Sequence, residues 1–177
     1  MRVTVFCGSS RKINEAYIGP VAELVSGLAV KHVSLNYGGA NTGLMGVLAK
    51  NALEKGVHTT GVIAEEFVES GLLFNGLSKT VVFKTIARRK NFLVENADAF
   101  LILPGGFGTM DEFFHLMLAR QLRNNTMPIG LLNLQGYFDP LFKFLVKMHK
   151  EGFVQKNFIS ELFISENPAE LIIKMGI

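Results

Sequence analysis

The run Pro104 to Glu112 (P-G-G-F-G-T-M-D-E) sets three glycines beside a threonine and two carboxylates. Gly105, Gly106 and Gly108 permit positive φ and let backbone N–H groups approach a ligand closely. The apolar helical pattern that follows puts a helix start there, with unpaired donors and a positive dipole end. Together these features form a phosphate cradle. Thr109 and Glu112 also match the Ser/Thr-x-x-Glu capping box, in which the carboxylate satisfies the Thr109 N–H and takes donors that phosphate would want. Asp111 fits as an acid in the first helical turn. Spacing leaves both readings of Glu112 open.

Two further loops carry related signals. Tyr37 to Gly46 (Y-G-G-A-N-T-G-L-M-G) is a second strand, glycine turn and helix start, with Gly39 in the turn. Such a turn joins many strands to helices without a ligand, but a nucleotide has two ends to hold. Cys7, Gly8, Ser9 and Ser10 offer small residues and hydroxyls without the G-x-G-x-x-G spacing of a dinucleotide site. The serines there can cap a helix or touch a ligand. Arg88, Arg89 and Lys90 follow Thr85 near a helix start, where cations are unfavourable unless an anion is near; the alternative is a solvated surface run.

The elements that must position these residues alternate. Strand patterns cover Arg2 to Phe6, Ser34 to Tyr37, Thr59 to Ile63, Thr80 to Phe83, Ala99 to Leu103 and Pro128 to Leu132, with a short seventh at Leu162 to Ser165. Helical spacing covers Asn14 to Lys31, Thr42 to Lys55, Ile86 to Asn96, Thr109 to Leu122, Pro140 to Lys150 and Pro168 to Met175. Gly56 suits a helix C-cap, and Pro140 and Pro168 suit helix starts. The alternation predicts an α/β protein, a Rossmann-like doubly wound parallel sheet in one domain over residues 1–177. Ligands bind such sheets beyond the carboxyl ends of the strands, which is where all three loops fall.

Composition bounds the function. The 177 residues include 18 basic and 15 acidic side chains, a net +3 without a long basic run, which argues against nucleic acid and suits a small anion. The apolar share of 49% against 19% charged predicts an apolar surface kept for an oligomer interface. One cysteine, Cys7, excludes an intrachain disulfide and fits a cytoplasmic protein. The start Met1, Arg2, Val3, Thr4 reads as a folded strand and not as a secretory leader, and no apolar run is long enough to span a membrane. His32, His58, His115 and His149 make no metal spacing, so neither metal nor other cofactor is expected. No G-x-S-x-G elbow is present, which disfavours a serine hydrolase.

The Pro104 to Glu112 segment, with Arg89 and Lys90 upstream, resembles the P-G-G-x-G-T-x-x-E signature of the LONELY GUY family, the cytokinin riboside 5'-monophosphate phosphoribohydrolases. Val5 to Ser10, Tyr37 to Gly46 and Gly130 to Pro140 extend the resemblance over nearly the whole chain. It implies a Rossmann-like fold, a homodimer or a larger assembly of dimers, and hydrolysis of a nucleoside 5'-monophosphate to free base and ribose 5-phosphate. It also implies that Arg89 and Glu112 are catalytic. The sequence departs from the family pattern at Ala40, Ala87, His115 and Ala119, positions that bear on substrate preference and subunit packing.

Breaking an N-glycosidic bond builds positive charge on the ribose, so a carboxylate beside the anomeric carbon lowers the barrier and can orient or deprotonate water. That role falls to Glu112. Arg89 would fix the phosphate or ribose against it. The expected substrate contacts are Gly8, Ser9, Gly39, Lys90, Gly105, Gly106, Gly108 and Thr109, and the expected ligand is AMP or an isoprenylated AMP. Older labels of such proteins as lysine decarboxylases find no support in a recognisable pyridoxal setting for Lys90. The rival of another class is a non-catalytic nucleotide-binding or sensor protein with the same cradle.

Overall fold

The computed structural model describes residues 1–123, 127–154 and 158–177. Among the described residues, seven parallel strands form one sheet: β1 Arg2–Phe6, β2 Ser34–Tyr37, β3 Thr59–Ala64, β4 Lys79–Phe83, β5 Ala99–Ile102, β6 Ile129–Leu132 and β7 Phe163–Ser165, in the order β4-β3-β2-β1-β5-β6-β7. The helices are α1 Ile18–Val30, α2 Gly43–Glu54, α3 Glu65–Glu69, α4 Ile86–Glu95, α5 Phe107–Arg123, α6 Asp139–Lys150 and α7 Pro168–Lys174. Among the described residues no helix is long and apolar enough to cross a membrane.

Strand periodicity builds two cores. Along β1, Val3 and Val5 face α1, α2 and α7, while Phe6 faces the side covered by α4, α5 and α6. Along β5, Ala99 and Leu101 face the first layer, Phe100 and Ile102 the second. Both faces are buried, which is why the strands read as continuous apolar runs and not as alternating ones.

The strand order places the site. Strands β1 to β4 are laid down in one direction, and β5 then returns to pair with β1 on its other side, Val5 opposite Leu101. The loops leaving β1 and β5 therefore diverge, opening a crevice at this switch point. They touch at its floor, where Gly8 N donates to Pro104 O at 3.0 Å.

Most boundaries fall within a residue of expectation, and three departures are larger. The segment from Asn14 is not one helix: Asn14 caps a 3₁₀ turn, Glu15–Tyr17, by accepting from Ala16 N at 3.0 Å, and α1 starts only at Ile18. Helix α3 lies in a stretch read as connection, being too short to show periodicity. Most consequential, α5 starts at Phe107 and not at Thr109.

Candidate active site

Arg89 is one of two buried residues of α4; the other, Leu93, lies four positions on and so on the same face. Thr85 caps that helix by accepting from Arg88 N, and Thr4 of β1 donates to Leu93 O at 3.0 Å, which ties α4 to the sheet. Arg89, only 7% exposed, thus points at the strand ends. Its Nε donates to Val62 O at 2.8 Å and its Nη1 to Glu112 Oε1 at 3.1 Å. The guanidinium also presses against Gly38, where any side chain would overlap Nη2. Arg88, next in the basic run, is exposed.

Glu112 comes from the opposite wall. Thr109, Glu112, Phe113, Leu116, Met117 and Arg120 are the buried stripe of α5, at helical spacing. A carboxylate therefore occupies a core-facing position and is 4% exposed. Burial pushes its pKa up to about 7, against the opposing pull of the Arg89 charge and hydrogen bond. The capping-box reading fails on position. With α5 starting at Phe107, Met110 N already donates to Gly106 O at 3.0 Å, so Thr109 sits inside the first turn and Glu112 beyond it. Cys7 lies beside this pair, and burial, with the Glu112 charge, raises its thiol pKa well above the ordinary range.

These groups line a cavity of about 600 Å³ above the sheet's carboxyl edge. Its end past β5 is lined by the backbone of Gly105, Gly106 and Gly108 and by Thr109, with Pro104 and Phe107, and Gly8, Ser9 and Ser10 line it past the neighbouring β1. The N–H groups of Phe107, Gly108 and Thr109 have no intrahelical acceptor at that end, which gives it anion-binding character. Its end past β2, β3 and β4 is apolar, built from Ala40, Met45, Ile63, Phe67, Leu72 and Ile86. Arg89, Glu112 and Gly8 line the same space.

Two of the expected contacts lie elsewhere. Gly39 is not in the cavity wall: it has φ +80 and packs on Ile63, while its carbonyl accepts from Phe74 N at 2.9 Å. Its flexibility serves the chain turn. Lys90 is also outside the wall, its ammonium held by both Asp111 oxygens at 2.8 and 2.9 Å. That pair, and not a first-turn preference, accounts for Asp111. Gly43, at φ +59, lets α2 start against the backbone of Gly8, Ser9 and Ser10.

Lys12, Asn14, Tyr17, Phe67, Leu72 and Tyr137 line the cavity without having been singled out from sequence. Tyr137 follows β6, so the rule that ligands sit past strand ends could have flagged it. Phe67 and Leu72 left no signal, because they reach the cavity through pairing of their segment with the β2 loop. There Asn41 N donates to Leu72 O at 2.8 Å, and Ala40 bridges to Leu73.

Comparison with known proteins fits this geometry. A family model described as "Possible lysine decarboxylase" matches residues 45–175. The probable cytokinin riboside 5'-monophosphate phosphoribohydrolase LOGL2 of Oryza sativa subsp. japonica is 33% identical over 98% of this chain and 71% of its own length. LOG2 of Arabidopsis thaliana, a cytokinin riboside 5'-monophosphate phosphoribohydrolase, is 32% identical over 97% of this chain and 80% of its own length. The chain belongs to the LONELY GUY family. It is an enzyme of that family's N-glycosyl hydrolase class. The molybdenum cofactor carrier protein of Chlamydomonas reinhardtii superposes on this LONELY GUY chain with a TM-score of 0.75 at 19% identity, covering 99% of this chain and 95% of that one. The molybdenum cofactor binding protein of Rippkaea orientalis does so with 0.70 at 20%, covering 99% and 94%. At such identities these two likenesses describe the fold alone.

Proposed function

We propose that this chain hydrolyses the N-glycosidic bond of a nucleoside 5'-monophosphate, releasing free base and ribose 5-phosphate. The observation that carries the reading is a buried carboxylate, Glu112, held by Arg89 on the wall of a cavity whose neighbouring rim is a helix N-terminus with free donors. Phosphate sits at Gly105 to Thr109, the ribose beside Glu112, and the base toward Met45, Ile63 and Phe67. As the bond from C1′ to the base nitrogen breaks, its electron pair goes to the base and positive charge builds on the ribose ring. Glu112 stabilises that charge and takes a proton from the water that attacks C1′; that proton then neutralises the departing base, which leaves Glu112 ionised again. Arg89 holds the carboxylate in place with Nη1 and has further N–H groups for the sugar or phosphate. A nucleotide carrier or sensor needs the cradle but has no use for this acid–base pair.

Because the cradle acts only on a phosphate, AMP is expected to be turned over while adenosine is not. Incubation with each and chromatography for free base checks this, and equal turnover of the two would sink the reading. The apolar end favours a base carrying an apolar substituent, so isopentenyladenosine monophosphate belongs in the same assay, with a higher kcat/KM than AMP expected.

We also propose a homodimer or larger assembly. Phe114, Leu118 and Leu122 form an exposed apolar stripe along α5, with Leu122 72% and Phe107 at the cavity mouth 97% exposed. An uncovered stripe of this kind marks an interaction surface. Light scattering at micromolar concentration is expected to give at least twice the mass of one chain, and a monomer would count against it.

A further inference from the structure

An anion cradle works only if its donors are already aimed, because reorienting them on binding costs free energy. Glycines are poor at this, having the widest φ/ψ freedom. Gly106 and Gly108 have nothing near enough to restrain even an added Cβ, whereas Gly105 is wedged between Thr109 Oγ1 and Gly8 N. The peptide joining Gly105 to Gly106 has one further anchor: the Tyr137 hydroxyl donates to Gly105 O at 2.7 Å. In a trans peptide the carbonyl and the next N–H point in opposite directions, so a carbonyl drawn to Tyr137 turns the Gly106 N–H away from it.

Tyr137 is itself firmly held. The chain before it turns through left-handed backbone at Gln135 (φ 54) and Gly136 (φ 68). Phe138 N donates to Asn133 Oδ1 at 2.7 Å, and Asn133 Nδ2 donates to Asp139 Oδ1 at 2.9 Å. The Tyr137 ring stands edge-on to Tyr17 at 6.2 Å and to Phe138 at 5.0 Å. Yet Tyr137 is 42% exposed, so water could satisfy its hydroxyl and burial does not require the bond to Gly105.

We propose that Tyr137 is a positioning residue whose hydroxyl locks the Gly105–Gly106 peptide, so that the Gly106 N–H joins the free donors of the α5 first turn on one phosphate. The inference rests on the phosphoribohydrolase reading only in taking phosphate as the group cradled. Tyr137→Phe removes one oxygen and keeps the ring contacts. It is expected to weaken ribose 5-phosphate binding by roughly three- to tenfold and to raise KM for AMP alike, with kcat changed less. Melting temperature and adenosine binding should not move. Tyr137→Leu, which removes the ring as well, separates the hydroxyl from the aromatic wall.

Calorimetry with ribose 5-phosphate reads the cradle whether or not hydrolysis occurs. Wild-type protein that binds ribose 5-phosphate tenfold better than Tyr137→Phe, yet cleaves no nucleotide, supports this inference and overturns the hydrolytic reading. Active wild-type protein alongside a Tyr137→Phe variant of undiminished ribose 5-phosphate affinity does the reverse. A variant that loses melting temperature but not phosphate selectivity assigns the hydroxyl to loop docking and also overturns the inference.

Discussion

Glu112→Gln is expected to bind AMP nearly as wild type does while its turnover falls by roughly 10²- to 10⁴-fold, the range that general acid–base groups contribute. The amide still accepts from Arg89 Nη1, so the geometry survives, but it carries no charge toward the ribose and takes no proton. Helix capping cannot produce this result, because Glu112 lies beyond the first turn of α5. A fully active variant would refute the assignment.

The pH dependence gives the same substitution a second readout. Burial holds the Glu112 pKa near 7, above the ordinary 4.5 of an exposed carboxyl. Between those values the folded protein binds a proton that the unfolded chain has released, so the contribution of this group to stability declines as pH rises through about 7. Activity that needs the carboxylate rises over the same interval. Wild-type turnover should therefore increase, and melting temperature decrease, from about pH 5 to pH 8 through this one group. In Glu112→Gln both slopes should flatten, measured against the parent under identical buffers.

Arg89→Ala is the second large effect, and it acts on catalysis and folding together. Removing one partner of a buried ion pair leaves the other uncompensated, a loss of about 3–5 kcal/mol when the remaining charge must persist. Glu112 can instead take a proton, so the stability loss should be large at pH 8 and small at pH 5. The variant also leaves Val62 O without the Arg89 Nε donor. With the Arg89 charge gone, the Glu112 pKa moves further up, and the midpoint of any residual pH–rate profile should shift to higher pH. Activity should fall at least 10²-fold. An unshifted midpoint would show that the two groups are not coupled as the 3.1 Å contact requires. Arg89→Lys should rescue little, because one ammonium cannot serve Val62 O and Glu112 through separate nitrogens as the planar fork does.

The residues of the sequence determine a good deal of this protein. Strand and helix periods are local properties, so most of the alternating elements, the parallel sheet and the loops past the strand ends were legible from them, whereas the short α3 was not, and the roles expected of Arg89 in α4 and Glu112 in α5 came from the family resemblance. Gly56 at φ +67 after α2 and Pro168 in the first turn of α7 behave as the turn chemistry of those residues demands.

What tertiary structure decided concerns partners far apart in the chain. Capping and catalytic readings of Glu112 share one spacing; the start of α5 at Phe107 removes the first, and the arrival of Arg89 from α4 is what the proposed catalytic role rests on. Lys90 looked as available as Arg89, yet helical geometry turns adjacent residues about 100° apart, sending one into the cavity and the other to Asp111. Gly38 and Gly39 are neighbours of one type, but Gly38 lines the cavity against the guanidinium while Gly39 packs on Ile63. Leu72, with Phe67 on the same segment, and Tyr137 enter the site through long-range hydrogen bonds to Asn41 and Gly105, which have no trace in local periodicity because they depend on which strands neighbour which.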